Sequence, residues 1–178
     1  MTSPSEPSDE RTGEVLVVAD VVGTALFLVT AVLAAAIFTT LFQWVGAIVA
    51  LGLFAVGVFS FLWSYWNAVQ RSRQDEISTI GLYFVAGGVA PRRVRNVMLG
   101  ALVAQVVVAA ATTFLRLDGP DGTPGSSLAL GFLVPMFGFG MNGLWAAYHG
   151  RFRRRQPAGG AVAAGPAGPP LGQDDMAD

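Results

Sequence analysis

The chain contains no cysteine and no lysine. Without cysteine there is no disulfide, no thiolate metal site and no cysteine nucleophile, and the redox compartment leaves no mark on the sequence. Without lysine, all 11 basic residues are arginine, set in an Ala, Gly and Val background of the kind a GC-rich genome encodes. Charge of either sign is scarce, at 13% of residues with a net charge of -1. A nucleic-acid partner, which demands a strong basic field, is therefore not expected.

The most consequential absence lies between Asp20 and Arg71, where no charged side chain occurs. As one α-helix this run of about 50 residues would be about 75 Å long, more than twice the ~30 Å hydrocarbon core of a bilayer. It must fold back on itself. A soluble domain does not accommodate it either, because a 178-residue chain that is 53% hydrophobic, with a mean hydropathy of +0.54, has too little polar surface left to face water. The expected fold is all-α: a polytopic membrane protein with an antiparallel four-helix transmembrane bundle over residues 13–155.

Four segments of spanning length stand out, at about 16–39, 43–66, 94–115 and 126–148. Thr39 to Trp44 is polar enough to turn, which makes the first two spans a hairpin. Arginines flank the spans unevenly. Arg71, Arg73, Arg92, Arg93 and Arg95 lie between spans 2 and 3, Arg151, Arg153, Arg154 and Arg155 follow span 4, and only Arg116 lies on the other side. That bias places both termini in the cytoplasm of a bacterial cell, with the protein multi-pass in its plasma membrane. A cleaved signal peptide is not expected, since a basic n-region is missing. Residues 1–12 and the Pro/Gly/Ala-rich 156–178 read as disordered cytoplasmic tails. Residues 75–90 contain an apolar run too short to span, which should lie in the interface or dip back among the helix ends.

Several side chains could carry function. In span 2, Gly46, Ala50, Leu53, Gly57, Ser60, Ser64 and Asn67 recur at spacings of three and four, a stripe of small or polar residues suited to close helix packing. Such a stripe serves packing within one subunit or a face for another. In span 4, Pro135 clashes with the carbonyl of Gly131 and predicts a kink there. Broken glycine-rich helices line transporter sites, although Pro and Gly are also common in ordinary membrane helices. Gln105 and Asn142 are amides at spanning depth that need partners. Asp20 is the acid nearest a span; counted back from Thr39 it falls about 28 Å away, at a wet boundary, whereas inside the bundle it would bind a proton or pair with Arg95. The arginines Arg92, Arg93, Arg95, Arg151, Arg153, Arg154 and Arg155 suit anionic lipid headgroups. His149 stands without a nearby acid and reads as an interface residue, and the loop aspartates Asp118 and Asp121 lack the ligand spacing of a calcium loop. No metal site, cofactor or catalytic constellation is visible, so an enzyme is not expected.

The combination of GLYFVAGGVAPRRVR, Gln105 in an apolar span, and LALGFLVPMFGFGMNGLWAAYHG with a basic end resembles small uncharacterised four-span integral membrane proteins of high-GC Gram-positive bacteria. The resemblance covers about residues 14–153 and implies membrane location and topology. The expected function is that of a non-enzymatic assembly or accessory component of the cell membrane, with lipids and either a second copy or other membrane proteins as partners. The alternative is a small transporter or channel that uses Asp20, Gln105, Asn142 and the Pro135 break.

Overall fold

The computed structural model describes residues 7–154 apart from 74, 120, 121 and 123–125. Most of the two expected disordered tails, with Arg155 and Asp121, thus lies outside the described residues. The elements run α1 (Pro7–Ile37), α2 (Thr40–Arg71), β1 (Asp75–Glu76), α3 (Thr79–Tyr83), α4 (Arg92–Leu115), a 3-10 helix (Ser127–Leu133), α5 (Pro135–His149) and β2 (Arg153–Arg154). Four stretches are long and apolar enough to cross a membrane: Arg11–Ile37, Thr40–Arg71, Arg92–Leu115 and Ser127–His149. They pack as a bundle.

Contacts at the two ends fix the up-and-down order. At one end Gly13 of α1 faces Trp145 and His149 of α5, and Arg71 at the close of α2 reaches Ala147 and Gly150. At the other, Ser127 donates to Gln43 at 2.8 Å, and Arg116 reaches Ala35. We call these the terminal end and the loop end. α1 starts at Pro7; proline is favoured in a first turn, where its missing N–H costs nothing. The first link is also shorter than expected, Phe38 and Thr39 alone, with Gln43 and Trp44 already helical. Phe38 sits at φ 46°, ending α1 in the left-handed region.

The α2 stripe is spent inside the bundle. Ala50, Gly57, Ser60 and Ser64 are buried, with Gly46 partly so, and α2 packs chiefly against α5. A Cβ on Gly57 would sit 2.6 Å from the carbonyl carbon of Met136, and one on Gly140 would run into the Gly57 carbonyl oxygen. Two glycines thus bring the backbones of α2 and α5 into direct contact, the close approach that favours helix association in lipid. Phe59, 67% exposed, lies on the opposite face.

Pro135 does not kink a continuous helix. The backbone runs as a 3-10 helix through Leu133 and becomes α-helical at Pro135, which occupies a first-turn position. The tighter i→i+3 pattern leaves no i→i−4 bond for the proline to remove.

Two arginines terminate helices. Arg116 donates from Nε to the Ala35 carbonyl at 3.2 Å and lies 4.4 Å above the Phe38 ring, at the C-terminus of α1. Arg71 donates to the Ala147 and Gly150 carbonyls at 3.1 and 3.2 Å at the end of α5, and to Asp75 at 2.7 Å. Cations at helix C-termini satisfy orphan carbonyls and oppose the macrodipole. β1 and β2 pair antiparallel beneath, Asp75 opposite Arg154 and Glu76 opposite Arg153.

Candidate functional site: a buried polar seam

Inward-facing positions of α1 recur as Leu16, Asp20, Thr24, Phe27, Ala31 and Ala34, a helical stripe against α4 and α5. Asp20 falls on that stripe, and its exposure decides its setting. It is 0% exposed, as are Gln105 and Asn142. The carboxylate expected at a wet boundary is thus enclosed by neighbouring helices, with α1 extending beyond it toward the terminal end. Asp20 does not pair with Arg95. Among the described residues the ion pair formed is Arg71 with Asp75.

Gln105 projects from α4 and donates from Nε2 to the Thr24 hydroxyl at 2.7 Å. Its Oε1 lies against Gly138 of α5, where a Cβ would come within 2.8 Å. The glycine makes room for the amide. Asn142, one turn further along α5, donates from Nδ2 to the Tyr83 carbonyl at 2.9 Å. Because a carbonyl only accepts, this bond fixes the Asn142 amide with its Oδ1 as an acceptor. That oxygen, both Asp20 oxygens and Gln105 Oε1 are buried without a hydrogen-bond donor.

Depth can be read from the register. Asp20 lies one turn, about 6 Å, to the terminal side of Thr24, and Asn142 lies one turn to the terminal side of Gly138. Thr24 and Gly138 meet the same Gln105, so Asp20 and Asn142 share one level of the bundle. Gln105 thus bridges α1, α4 and α5, and Asp20 and Asn142 are buried about one turn to the terminal side of that bridge. The Gly131 to Pro135 break sits apart from them, toward the loop end.

The segment 75–90 covers the seam on the terminal side. Of its two sequence alternatives, the core of the segment takes the second and dips among the helix ends: Leu82, Tyr83, Val85 and Val89 are buried, while Ile80 and Phe84 stay exposed. Ser78 caps α3 by accepting from Gly81 N at 3.0 Å. The Tyr83 ring stacks on Phe61 of α2 with centroids 4.2 Å apart. Val85 packs with Met98, Phe137, Met141 and Trp145, beside Leu16, Val17 and Ala19 of α1. Its φ is 50°, a conformation that strains a β-branched residue.

No known protein family, curated protein or solved structure matches this chain. The resemblance to four-span bacterial proteins accordingly reduces to four apolar helices of spanning length. The tethering of Tyr83 by Asn142 and the helix-ending roles of Arg71 and Arg116 were not foreseen; the only sequence signal for the latter two is a lone arginine at the close of an apolar run. Arg92 and Arg93 are exposed at the start of α4, Arg95 is half-buried, and Arg151 and Arg153 are exposed at the terminal end. The Arg154 side chain lies outside the described residues.

Proposed function

We propose that this is a non-enzymatic integral membrane protein of the bacterial plasma membrane that works by lateral assembly, its helices joining a second copy or an envelope partner. The observation that carries this reading is a shallow, sideways-open groove of about 310 Å³ between α1 and α4, lined by Val21, Thr24, Ala25, Gly100, Ala101 and Ala104. A Cβ added at Gly100 meets nothing within 4 Å. Small residues with open space in front of them allow another helix to approach closely. The α2 stripe offers no such face, since α5 already fills it.

Cysteine cross-linking in native membranes tests the assembly, in a chain that has no other cysteine. Gly100→Cys should give cross-linked dimers or a discrete larger adduct, and Gly52→Cys, in open space on α2, should not. Equal cross-linking at both positions, or none at either, would sink the assignment of this face.

Orientation is supported by the arginine bias. Arg92, Arg93 and Arg95 open α4, where a cation meets the positive end of the helix dipole, so helix stability does not account for them and attraction to anionic headgroups does. In intact cells an impermeant thiol reagent should label Asp118→Cys and spare Gln70→Cys. The reverse pattern would invert the topology.

A further inference from the structure

We propose that the seam is a binding site for a small monovalent cation, with the Asp20 carboxylate as its anion, Asn142 Oδ1 as a second oxygen ligand at the same depth, and the 79–90 segment as its cover. This goes beyond lateral assembly and does not depend on it. The argument starts from what surrounds Asp20. Both carboxylate oxygens are buried without a donor, and Asn142 Oδ1, at the same level, and Gln105 Oε1, about one turn away along the bundle, are acceptors in the same condition. Oxygen acceptors gathered without a donor are complementary to positive charge, and an intramembrane carboxylate left uncompensated is costly.

Among the described residues no side chain is placed to supply that charge. On α1 the flanking ionisable groups, Arg11 and Glu14, are exposed toward the terminal end. On α4 the nearest is Arg95, about 15 Å along the helix from Gln105, and it makes no ion pair with Asp20. From α5 comes His149, stacked on Trp145 and facing Gly13, about 10 Å along α1 from Asp20. The covering segment contributes Tyr83, whose carbonyl is taken by Asn142 and whose buried phenol, stacked on Phe61 of α2, carries no positive charge. α2 presents Ser60 and Ser64, and its charged residue, Arg71, is held at the terminal end by Asp75 and the Ala147 and Gly150 carbonyls. The compensating charge must come from solution, as a proton or a bare alkali ion. The strained, side-chain-plugged Val85 followed by Gly87 and Gly88, both at positive φ with open space around them, gives the cover a place to hinge.

The test is dicyclohexylcarbodiimide labelling of the full chain in mild detergent, read by peptide mass. A protonated carboxyl adds across a C=N bond of this apolar reagent, its proton passing to nitrogen, and the O-acylisourea so formed rearranges to a stable N-acylurea; the reagent reaches groups out of water. Wild-type protein should acquire an adduct at Asp20 that is absent in Asp20→Asn. Labelling should fall several-fold as pH is raised. Protection by sodium at fixed pH identifies an alkali ion, and protection by pH alone identifies the proton. Val85→Ala, which thins the cover, should label several-fold faster. The proposal is overturned if Asp20 stays unlabelled in both wild type and Val85→Ala, or if its labelling ignores both pH and sodium.

Discussion

Gly57→Leu should abolish the folded, monodisperse protein. A leucine there must enter the backbone of α5, where even a Cβ would lie 2.5 Å from the Phe137 Cα. Neither helix has a flexible side chain that could yield, since Gly140 meets the Gly57 carbonyl from the other side. Overpacking of this kind costs on the order of 3 kcal/mol, a large part of a typical domain's stability. Phe59→Leu, on the exposed face, removes only lipid contact and should change little. Thermal unfolding followed by size-exclusion profile separates the two. Equal tolerance would mean that α2 does not meet α5 through Gly57.

Asn142→Leu should release the covering segment while leaving the four long helices in place. The substitution conserves volume approximately but leaves the Tyr83 carbonyl without its donor, at about 1–3 kcal/mol for a buried polar group. It also removes one of the seam's acceptor oxygens. The segment keeps the Tyr83 stacking on Phe61 and the Arg151 N–H bond to the Val89 carbonyl at 3.0 Å, so the loss should be local. Amide hydrogen exchange is the measurement: faster exchange over residues 79–90, with α2 and α4 unchanged. Uniform acceleration across the chain would show that Asn142 supports the bundle as a whole.

The bundle was legible because its cause is written in one-dimensional form. An uncharged run too long for a single crossing forces a hairpin, and small residues spaced by three and four mark the face of α2 that meets a neighbour. Gln105 was legible for a related reason, since an amide in lipid has nowhere to satisfy itself except inside. The burial of Asp20 was not legible, because counting along a span gives only a distance from its far end, whereas burial is set by which neighbouring helices cover that turn. The helix-ending arginines were invisible for a stronger reason. Arg71 and Arg116 act on carbonyls far away in sequence, at Ala147 and Ala35, and no local pattern in either arginine's surroundings encodes those partners. The same holds for the change from 3-10 to α geometry before Pro135. The proline predicts a discontinuity, but whether the chain bends or rewinds is decided by what Phe27 and Ala109 leave room for around Gly131.

Gly13 against Trp145 and His149 also has a mechanical consequence. The start of α1 and the close of α5 emerge side by side, so a pulling force applied between them does not load the bundle in shear. It peels α1 from α5 one turn at a time, from the Gly13 contact toward Gly23 and Phe137. A peeling geometry yields at low force and in small steps, and about two turns of peeling uncover the level of Asp20 while the Gly57–Gly140 contact between α2 and α5 still holds. Tension at this one end of the protein would therefore open the seam before it unfolds the bundle.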